Sequence, residues 1–274
     1  MDPQTMFDIR EMRVVVTGGG GVLCGAMARG LAALGARVAV VDLIEEKAQK
    51  VVDAIHVAGG DAYAVACDVT DPASVVAARD AVLRQWGTVD VLLNGAGGNH
   101  PKATTTSDTP FFTLVPDAVR QVFDLNFFGT FLPSQAFGEI MARNGRGAIV
   151  NIASMNSIRP LTRIPAYSAA KAAVANFTQW LAVYMAQEFG PNIRVNAMAP
   201  GFFVTEQTRY LHVDSETGEY TPRGQQIVSH TPMGRMGNPE DLLSTLVWLI
   251  CPGSGFVTGI VVPVDGGFSA YSGV

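Results

Sequence analysis

Met12-Arg13-Val14-Val15-Val16-Thr17-Gly18-Gly19-Gly20-Gly21-Val22-Leu23-Cys24-Gly25 is the stretch that decides the fold. Its apolar, β-branched opening, Met12–Thr17, reads as a buried strand. Glycines follow, and then Val22–Leu34 reads as a helix ended by Gly35. Strand, glycine turn and helix in that order build a phosphate site, because glycine lets the backbone come close and a helix N-terminus presents free N–H groups to an anion. Asp42 ends the second strand, 24 residues after Gly18. A carboxylate there accepts from both hydroxyls of an adenosine ribose and repels a 2′-phosphate, and Leu43 and Ile44 bring no adjacent cation. The expected cofactor is NAD, held by Gly18, Gly20, Gly21, Val22, Leu23, Asp42 and Leu43. A glycine-rich turn by itself is merely a turn; the strand-turn-helix context and Asp42 give this one a ligand.

Outward from that stretch, strands and helices alternate. Strands are expected at Arg37–Val41, Asp61–Cys67, Val89–Asn94, Gly147–Ala153, Ile193–Ala197 and Gly259–Pro263. Helices are expected at Glu45–Ala58, from Asp71-Pro72 to Trp86, in one long run from about Pro116 to Arg143, at Pro165–Phe189, and from Asn238-Pro239 to about Ile250. Near-continuous apolar strands interleaved with helices predict an α/β, doubly wound Rossmann-type fold: a parallel sheet of about seven strands covered by helices on both faces. No linker or repeat divides the chain, so residues 1–274 are expected to form a single dinucleotide-binding domain. The stretches 98–116 and 202–237 lack clear periodicity and follow strand ends, which marks them as substrate loops.

Composition excludes several classes. Of 274 residues, 48% are hydrophobic and 16% charged, which supports a large core and opposes disorder. A net charge of −5 without basic runs gives no footprint for nucleic acid. No apolar run has the length of a membrane span, and the N-terminus lacks the pattern of a signal peptide. The three cysteines Cys24, Cys67 and Cys251 match no metal spacing, so they read as reduced thiols in a cytoplasmic protein, and no metal site is expected.

The chain has only four lysines, at 47, 50, 102 and 171, and one of them forms the pair Tyr167-x-x-x-Lys171 in an alanine-rich, helix-favouring segment. Four residues apart on a helix means a shared face. A nearby cation favours the phenolate, and lowering a phenol by three pKa steps takes about 4 kcal/mol, within reach of one ammonium and a second positive group in a partly dry site. A Tyr tuned this way exchanges a proton with an alcohol near neutral pH. A surface Tyr and Lys on an ordinary helix is the alternative, and the other motifs weigh against it.

Taken together, the glycine turn, Asp42 and the Tyr-Lys pair resemble the short-chain dehydrogenase/reductase superfamily over about residues 10–268. The resemblance implies that Asp68 and Val69 contact the adenine side of the cofactor. Asn94-Gly95-Ala96-Gly97 is similar to the family's Asn-Asn-Ala-Gly motif, with Gly95 replacing the second Asn; Asn94, Ala96 and Gly97 thereby join the cofactor set. Pro200-Gly201-Phe202-Phe203-Val204-Thr205 resembles the Pro-Gly-x-x-x-Thr turn, which adds Pro200, Phe203 and Thr205. Asn126 matches the family's helix Asn, whose backbone holds a water near the lysine, and Ser154 stands thirteen residues before Tyr167, at the family's spacing for its catalytic serine. The implied roles are Tyr167 as general acid or base, Lys171 lowering its pKa and binding the nicotinamide ribose, Ser154 bonding the reacting oxygen, and Asn126 supporting the water. The chain departs from the pattern where Val22 and Cys24 take the places of the second and third glycines, and Cys24 is expected to tighten or shift the turn, with weaker cofactor affinity.

For the substrate, the segments after strand four and between Ser154 and Tyr167 offer Asn99, His100, Lys102, Asn156, Arg159 and Arg163, a polar and cationic set suited to hydroxyls and a carboxylate. Asn99, His100, Asn156 and Arg163 are the candidates for contact. With Thr205–Arg209 and the tail from Gly266, these segments resemble the D-mannonate oxidoreductase (fructuronate reductase) group, which implies interconversion of D-fructuronate and D-mannonate. Another sugar or polyol oxidoreductase, such as a gluconate 5-dehydrogenase type, and a non-catalytic dinucleotide sensor remain open. The family resemblance further implies a homotetramer packed through residues 116–143, 165–189 and the C-terminal strand.

Overall fold

A computed structural model describes residues 5–204, 212–215 and 217–273. Its frame is a seven-stranded sheet in the order β3-β2-β1-β4-β5-β6-β7, parallel throughout. The strands are β1 (Arg13–Thr17), β2 (Arg37–Asp42), β3 (Asp61–Ala66), β4 (Val91–Asn94), β5 (Gly147–Ile152), β6 (Ile193–Pro200) and β7 (Val261–Val264). The helices between them are α1 (Val22–Ala33), α2 (Glu45–Val57), α3 (Pro72–Trp86), α4 (Pro116–Phe123), α5 (Gly129–Asn144), α6 (Pro165–Glu188), α7 (Pro222–Ser229) and α8 (Leu243–Ile250).

The continuous apolar strands are explained by two cores. Val14, Val16, Val38 and Val40 face one side, with Met27 and Leu31 of α1, Val52 and Ile55 of α2, and Leu246 and Leu249 of α8. Val15, Ala39 and Val41 face the other, with Val82 of α3, Phe137 and Met141 of α5, and Phe177 and Leu181 of α6. Successive side chains of a strand point to opposite faces, so a strand buried on both sides cannot alternate with polar residues. β1 lies between β2 and β4, so the chain reverses direction across the sheet after β3, and a crevice opens at the carboxyl ends of β1 and β4. Among the described residues no helix is long and apolar enough to cross a membrane.

Four expectations about elements are corrected. The single helix expected from Pro116 to Arg143 is divided by a π-helical turn at Asp124–Phe128, followed by α5 with Pro133 inside it. Proline lacks the N–H that the regular ladder needs, and the wider turn carries one extra residue. β6 runs to Pro200 rather than Ala197, because β7 pairs with Ala197–Pro200. The stretch 202–237 contains α7, whose N-terminus is capped by the Thr221 hydroxyl accepting from the Gly224 N–H at 3.1 Å, with Pro222 in the first helical position. The last helix begins as a 3-10 turn, Pro239–Leu242, before α8.

Candidate active site

The glycine turn forms the first wall. Gly18 has φ 63°, and a β-carbon there would lie 2.8 Å from the backbone of Ala96, so only glycine fits between the ends of β1 and β4. Thr17 ties the two together, its hydroxyl accepting from the N–H of Gly95 at 3.1 Å. Gly21 caps α1 without any side-chain bond, and the first turn of α1 carries no acidic residue, so its leading N–H groups remain open to an anion. Asp42 accepts from the N–H of Gly20 at 3.0 Å and from that of Ile44 at 3.0 Å. An ionised carboxylate has about four acceptor positions, which leaves room for ribose hydroxyls.

A cleft of ≈ 370 Å³ runs along this wall and is lined by Gly18, Gly21, Val22, Leu23, Asp42, Leu43, Asp68, Val69, Ala96 and Gly97 from the expected cofactor set. Gly20 stands beside it through its bond to Asp42. Three expected members are placed elsewhere. The Asn94 side chain turns into the core and donates to Ser134 at 2.9 Å and Asn151 at 2.8 Å. Pro200 is buried in the β6–β7 pairing, and the Phe203 ring packs into the core against Gly237. Thr205, with Glu206–Arg209, lies outside the described residues. The residues present fit a dinucleotide: an open helix terminus, a carboxylate at the end of β2, and glycines where any β-carbon would intrude.

The second wall comes from α6 and the π-helical turn. Lys171 is 2% exposed and donates to the Ile152 carbonyl at 2.6 Å, with its ammonium 5.6 Å from the centre of the Tyr167 ring. Burial pushes Lys171 down to about 8. Asn126 is fully buried; its amide donates to Gly98 and Val122 carbonyls, each at 2.7 Å, and accepts from the Gly98 N–H at 3.2 Å. Gly97 lies between Asn126 and Lys171, with room for a β-carbon on neither side. Thus Asn126, Ser154, Tyr167 and Lys171 converge beside the cleft.

One electrostatic expectation is reversed. Lys171 was expected to hold the Tyr167 phenol low; burial instead pushes it up, opposed by the hydrogen bond with Ser154. Desolvation of the phenolate outweighs that hydrogen bond, and the Lys171 ammonium is engaged with the Ile152 carbonyl.

The expected substrate residues divide. Arg163 lines a cavity of ≈ 350 Å³ with Arg223, Gln226 and His230 of the α7 region, and with Phe202 and Phe268. Asn99 donates to Thr104 at 2.8 Å and the His100 Nδ1 accepts from the Lys102 N–H at 3.1 Å, both within their own loop. Arg159 donates to the Tyr271 carbonyl at 3.4 Å. Asn156 is 6% exposed and bonds Ser154, Leu161 and Ser168, so it supports the site from behind. Arg223 and His230 were missed by sequence reasoning; Thr221-Pro222, a capping side chain followed by proline as in Asp71-Pro72 at α3, could have revealed α7 and its first-turn arginine.

Behind the site runs a buried hydrogen-bonded chain. Thr130 donates to the Asn126 carbonyl at 2.9 Å, Ser134 to the Thr130 carbonyl at 2.7 Å, Asn94 to Ser134 and Asn151, Asn151 to Thr178 at 2.9 Å, and Thr178 to the Val174 carbonyl at 2.8 Å. It joins α5, β4, β5 and α6 in one line.

Known proteins match this arrangement over nearly its whole length. The family model described as Enoyl-(Acyl carrier protein) reductase matches residues 23–269. An uncharacterized oxidoreductase of Bacillus subtilis (strain 168), UxuB, is 51% identical over 269 residues, 95% of each chain. A solved structure from Haemophilus influenzae, provisionally described as a D-mannonate oxidoreductase and holding bound NAD, is 46% identical, with a TM-score of 0.90 over 97% of this chain and 98% of its own. A gluconate 5-dehydrogenase from Burkholderia cenocepacia J2315, solved with NADP and tartrate, is 31% identical, with a TM-score of 0.87 over 98% of this chain and 100% of its own. The chain belongs to the short-chain dehydrogenase/reductase family, NAD(P)-dependent oxidoreductases acting on alcohol groups.

Proposed function

We propose that this protein is an NAD-linked oxidoreductase of a sugar acid that interconverts D-fructuronate and D-mannonate. The observation that carries the reading is the cavity beside the segment leading into Tyr167: Arg163, Arg223 and His230 line it, and no Asp or Glu does among its described residues. Guanidinium groups grip a carboxylate through paired bonds, and Gln226 suits a hydroxyl. The name of the Haemophilus relative supports the same substrate, and Asp42 supports NAD over NADP.

A nicotinamide dinucleotide held by the glycine turn and Asp42 would supply a hydride to the carbonyl carbon in its reduced form, or take one from the carbinol carbon in its oxidised form. The chain's own residues handle the oxygen. In reduction Tyr167 gives its proton to the carbonyl oxygen; in oxidation the phenolate takes it back. Burial keeps the phenol protonated, ready to act as an acid, and Lys171, still mostly cationic at neutral pH, meets the phenolate that remains. Ser154 donates to the oxygen as charge develops there. Asn126 supports a water in the proton relay.

The test is loss of NADH absorbance with D-fructuronate, run beside NADPH and beside 5-keto-gluconate. Fast oxidation of NADH by fructuronate alone supports the reading. Turnover of 5-keto-gluconate instead moves the protein to the gluconate 5-dehydrogenase type, a reading favoured by the Burkholderia relative. NADH binding with no turnover on either ketose favours a sensor.

Residues 1–274 are read as one working domain, and the protein as a homotetramer. Support for the assembly comes from exposed apolar side chains along α6 and just past it: Trp180, Val183, Tyr184 and Phe189.

A further inference from the structure

The hydroxyl of Ser154 has one proton and two acceptor positions. Both acceptor positions face Asn156: its backbone N–H at 3.2 Å and its side-chain Nδ2 at 3.1 Å. Which end of the Asn156 amide faces Ser154 is settled by its other contacts. The Leu161 backbone N–H, which can only donate, points at the far atom from 2.9 Å, so that atom is Oδ1. The Ser168 hydroxyl, one residue past Tyr167, reaches the same oxygen at 3.0 Å. With Oδ1 fixed by Leu161, the atom toward Ser154 is Nδ2, a pure donor. Ser154 therefore accepts twice, and its own proton is free only for the site.

We propose that Asn156 is a positioning residue that makes Ser154 an obligate hydrogen-bond donor toward the reacting oxygen and the Tyr167 phenol. This rests on the reading of Ser154 and Tyr167 as catalytic. The arrangement has a chemical consequence in both directions. A serine free to rotate spends part of its time accepting from the Tyr167 hydroxyl, which leaves the substrate oxygen without a donor. A serine held as donor favours charge on whichever oxygen it faces, the developing alkoxide in reduction or the phenolate in oxidation. The Lys171 ammonium lies 5.6 Å from the centre of the Tyr167 ring.

The experiment is a cycle on kcat with NADH and D-fructuronate, with unfolding curves run on each variant. Asn156→Asp places an acceptor where Nδ2 stands and draws the Ser154 proton away from the site. It should lower kcat to the level of Ser154→Ala, on the order of 10²–10³-fold, the range for loss of one donor to a developing oxyanion. Asn156→Ala removes the Nδ2 donor without adding charge. It should lower kcat about 3–10-fold, the worth of one neutral hydrogen bond, and move the ionisation of Tyr167 in the kcat–pH profile upward. In the Ser154→Ala background, Asn156→Ala should change neither kcat nor the profile further. If the two losses multiply instead, Asn156 acts on general packing and the inference falls. If Asn156→Asp turns over at the wild-type rate while Ser154→Ala does not, the inference falls alone. Wild-type turnover by Ser154→Ala overturns the catalytic reading, and this inference with it. Where Asn156→Asp does not fold, the Asn156→Ala cycle decides.

Discussion

The sulfur of Cys24 occupies the space that a β-carbon on Gly95 would need. Residue 24 sits on the first turn of α1 and residue 95 just past β4, so the contact joins the two elements where both line the cleft. Read singly, these are two departures from the family pattern, a glycine enlarged to Cys24 and an asparagine reduced to Gly95. Together they are one exchange of volume across a contact. The missing side chain at 95 leaves the room that the Cys24 sulfur takes.

Restoring one member of the pair should hurt more than restoring both. Gly95→Asn drives a side chain into Cys24 and the Thr17 carbonyl and should destabilise the fold by about 1–3 kcal/mol, the cost of overpacking. Cys24→Gly in the same chain should recover part of that loss. Denaturant unfolding of the singles and the double checks it, and additive losses would show that the two positions are independent. Because burial pushes the Cys24 thiol up to about 12, alkylating reagents should leave it intact in the folded protein at neutral pH.

Asp42 both faces the cleft and holds the glycine turn through Gly20. Asp42→Ala should reduce kcat/KM for NADH by about 10–100-fold, the worth of charged hydrogen bonds, and reduce it far less for NADPH, because the repulsion of a 2′-phosphate is also removed. Steady-state kinetics with both cofactors measure the ratio. An unchanged preference would show that Asp42 serves the turn alone.

Arg223→Ala should raise KM for D-fructuronate about 10–100-fold, the cost of losing one charged partner to a carboxylate, with little change on a neutral ketose. Arg163→Ala should behave alike. Equal losses on neutral and acidic substrates would remove the carboxylate from this cavity.

Lys171 gives a stability signature with a definite sign. Its folded value, about 8, lies below its ordinary 10.5, so between those values the unfolded chain holds more protons. Stability from this group therefore rises with pH through that window; it is complete above the unfolded value and is lost as pH falls through about 8. Full expression amounts to about 3 kcal/mol. The difference in unfolding free energy between the wild type and Lys171→Met should widen in favour of the wild type from about pH 7.5 to 10.5. A difference that stays flat would mean that Lys171 titrates as an exposed lysine.

The architecture was legible because its signals are local and periodic: apolar runs of strand length, glycines at the turns, and Asp71-Pro72 opening α3. The glycine turn, Asp42 and Asn94–Gly97 were legible for a related reason, since each lies next to a strand end that the pattern already fixed, and Tyr167 and Lys171 by their spacing on a helix. What escaped was set by contacts distant in sequence. The π-helical turn between α4 and α5 sets Asn126 against Gly98, 28 residues away, and the extra length of β6 depends on its pairing with β7. Asn94 and Asn156 carry the polarity of ligand contacts, but only their partners reveal that one braces the core and the other braces Ser154. Arg223 escaped because α7 is short, although Thr221-Pro222 announces it.

The buried chain from Asn126 to Val174 gives the two parts of the second wall, the π-helical turn and α6, a ruler. Apolar cores tolerate sliding and exchange of similar volumes, because dispersion contacts have no preferred direction. Hydrogen bonds do have one, and a slip of α5 past α6 by even an ångström would break Asn94, Asn151 and Thr178 from their partners at once. Mutations that accumulate in the aliphatic layers above and below are thus free to shift helices outward or rotate their exposed faces. The spacing between the asparagine of the π-helical turn and the lysine of α6 is held independently of how those layers are filled.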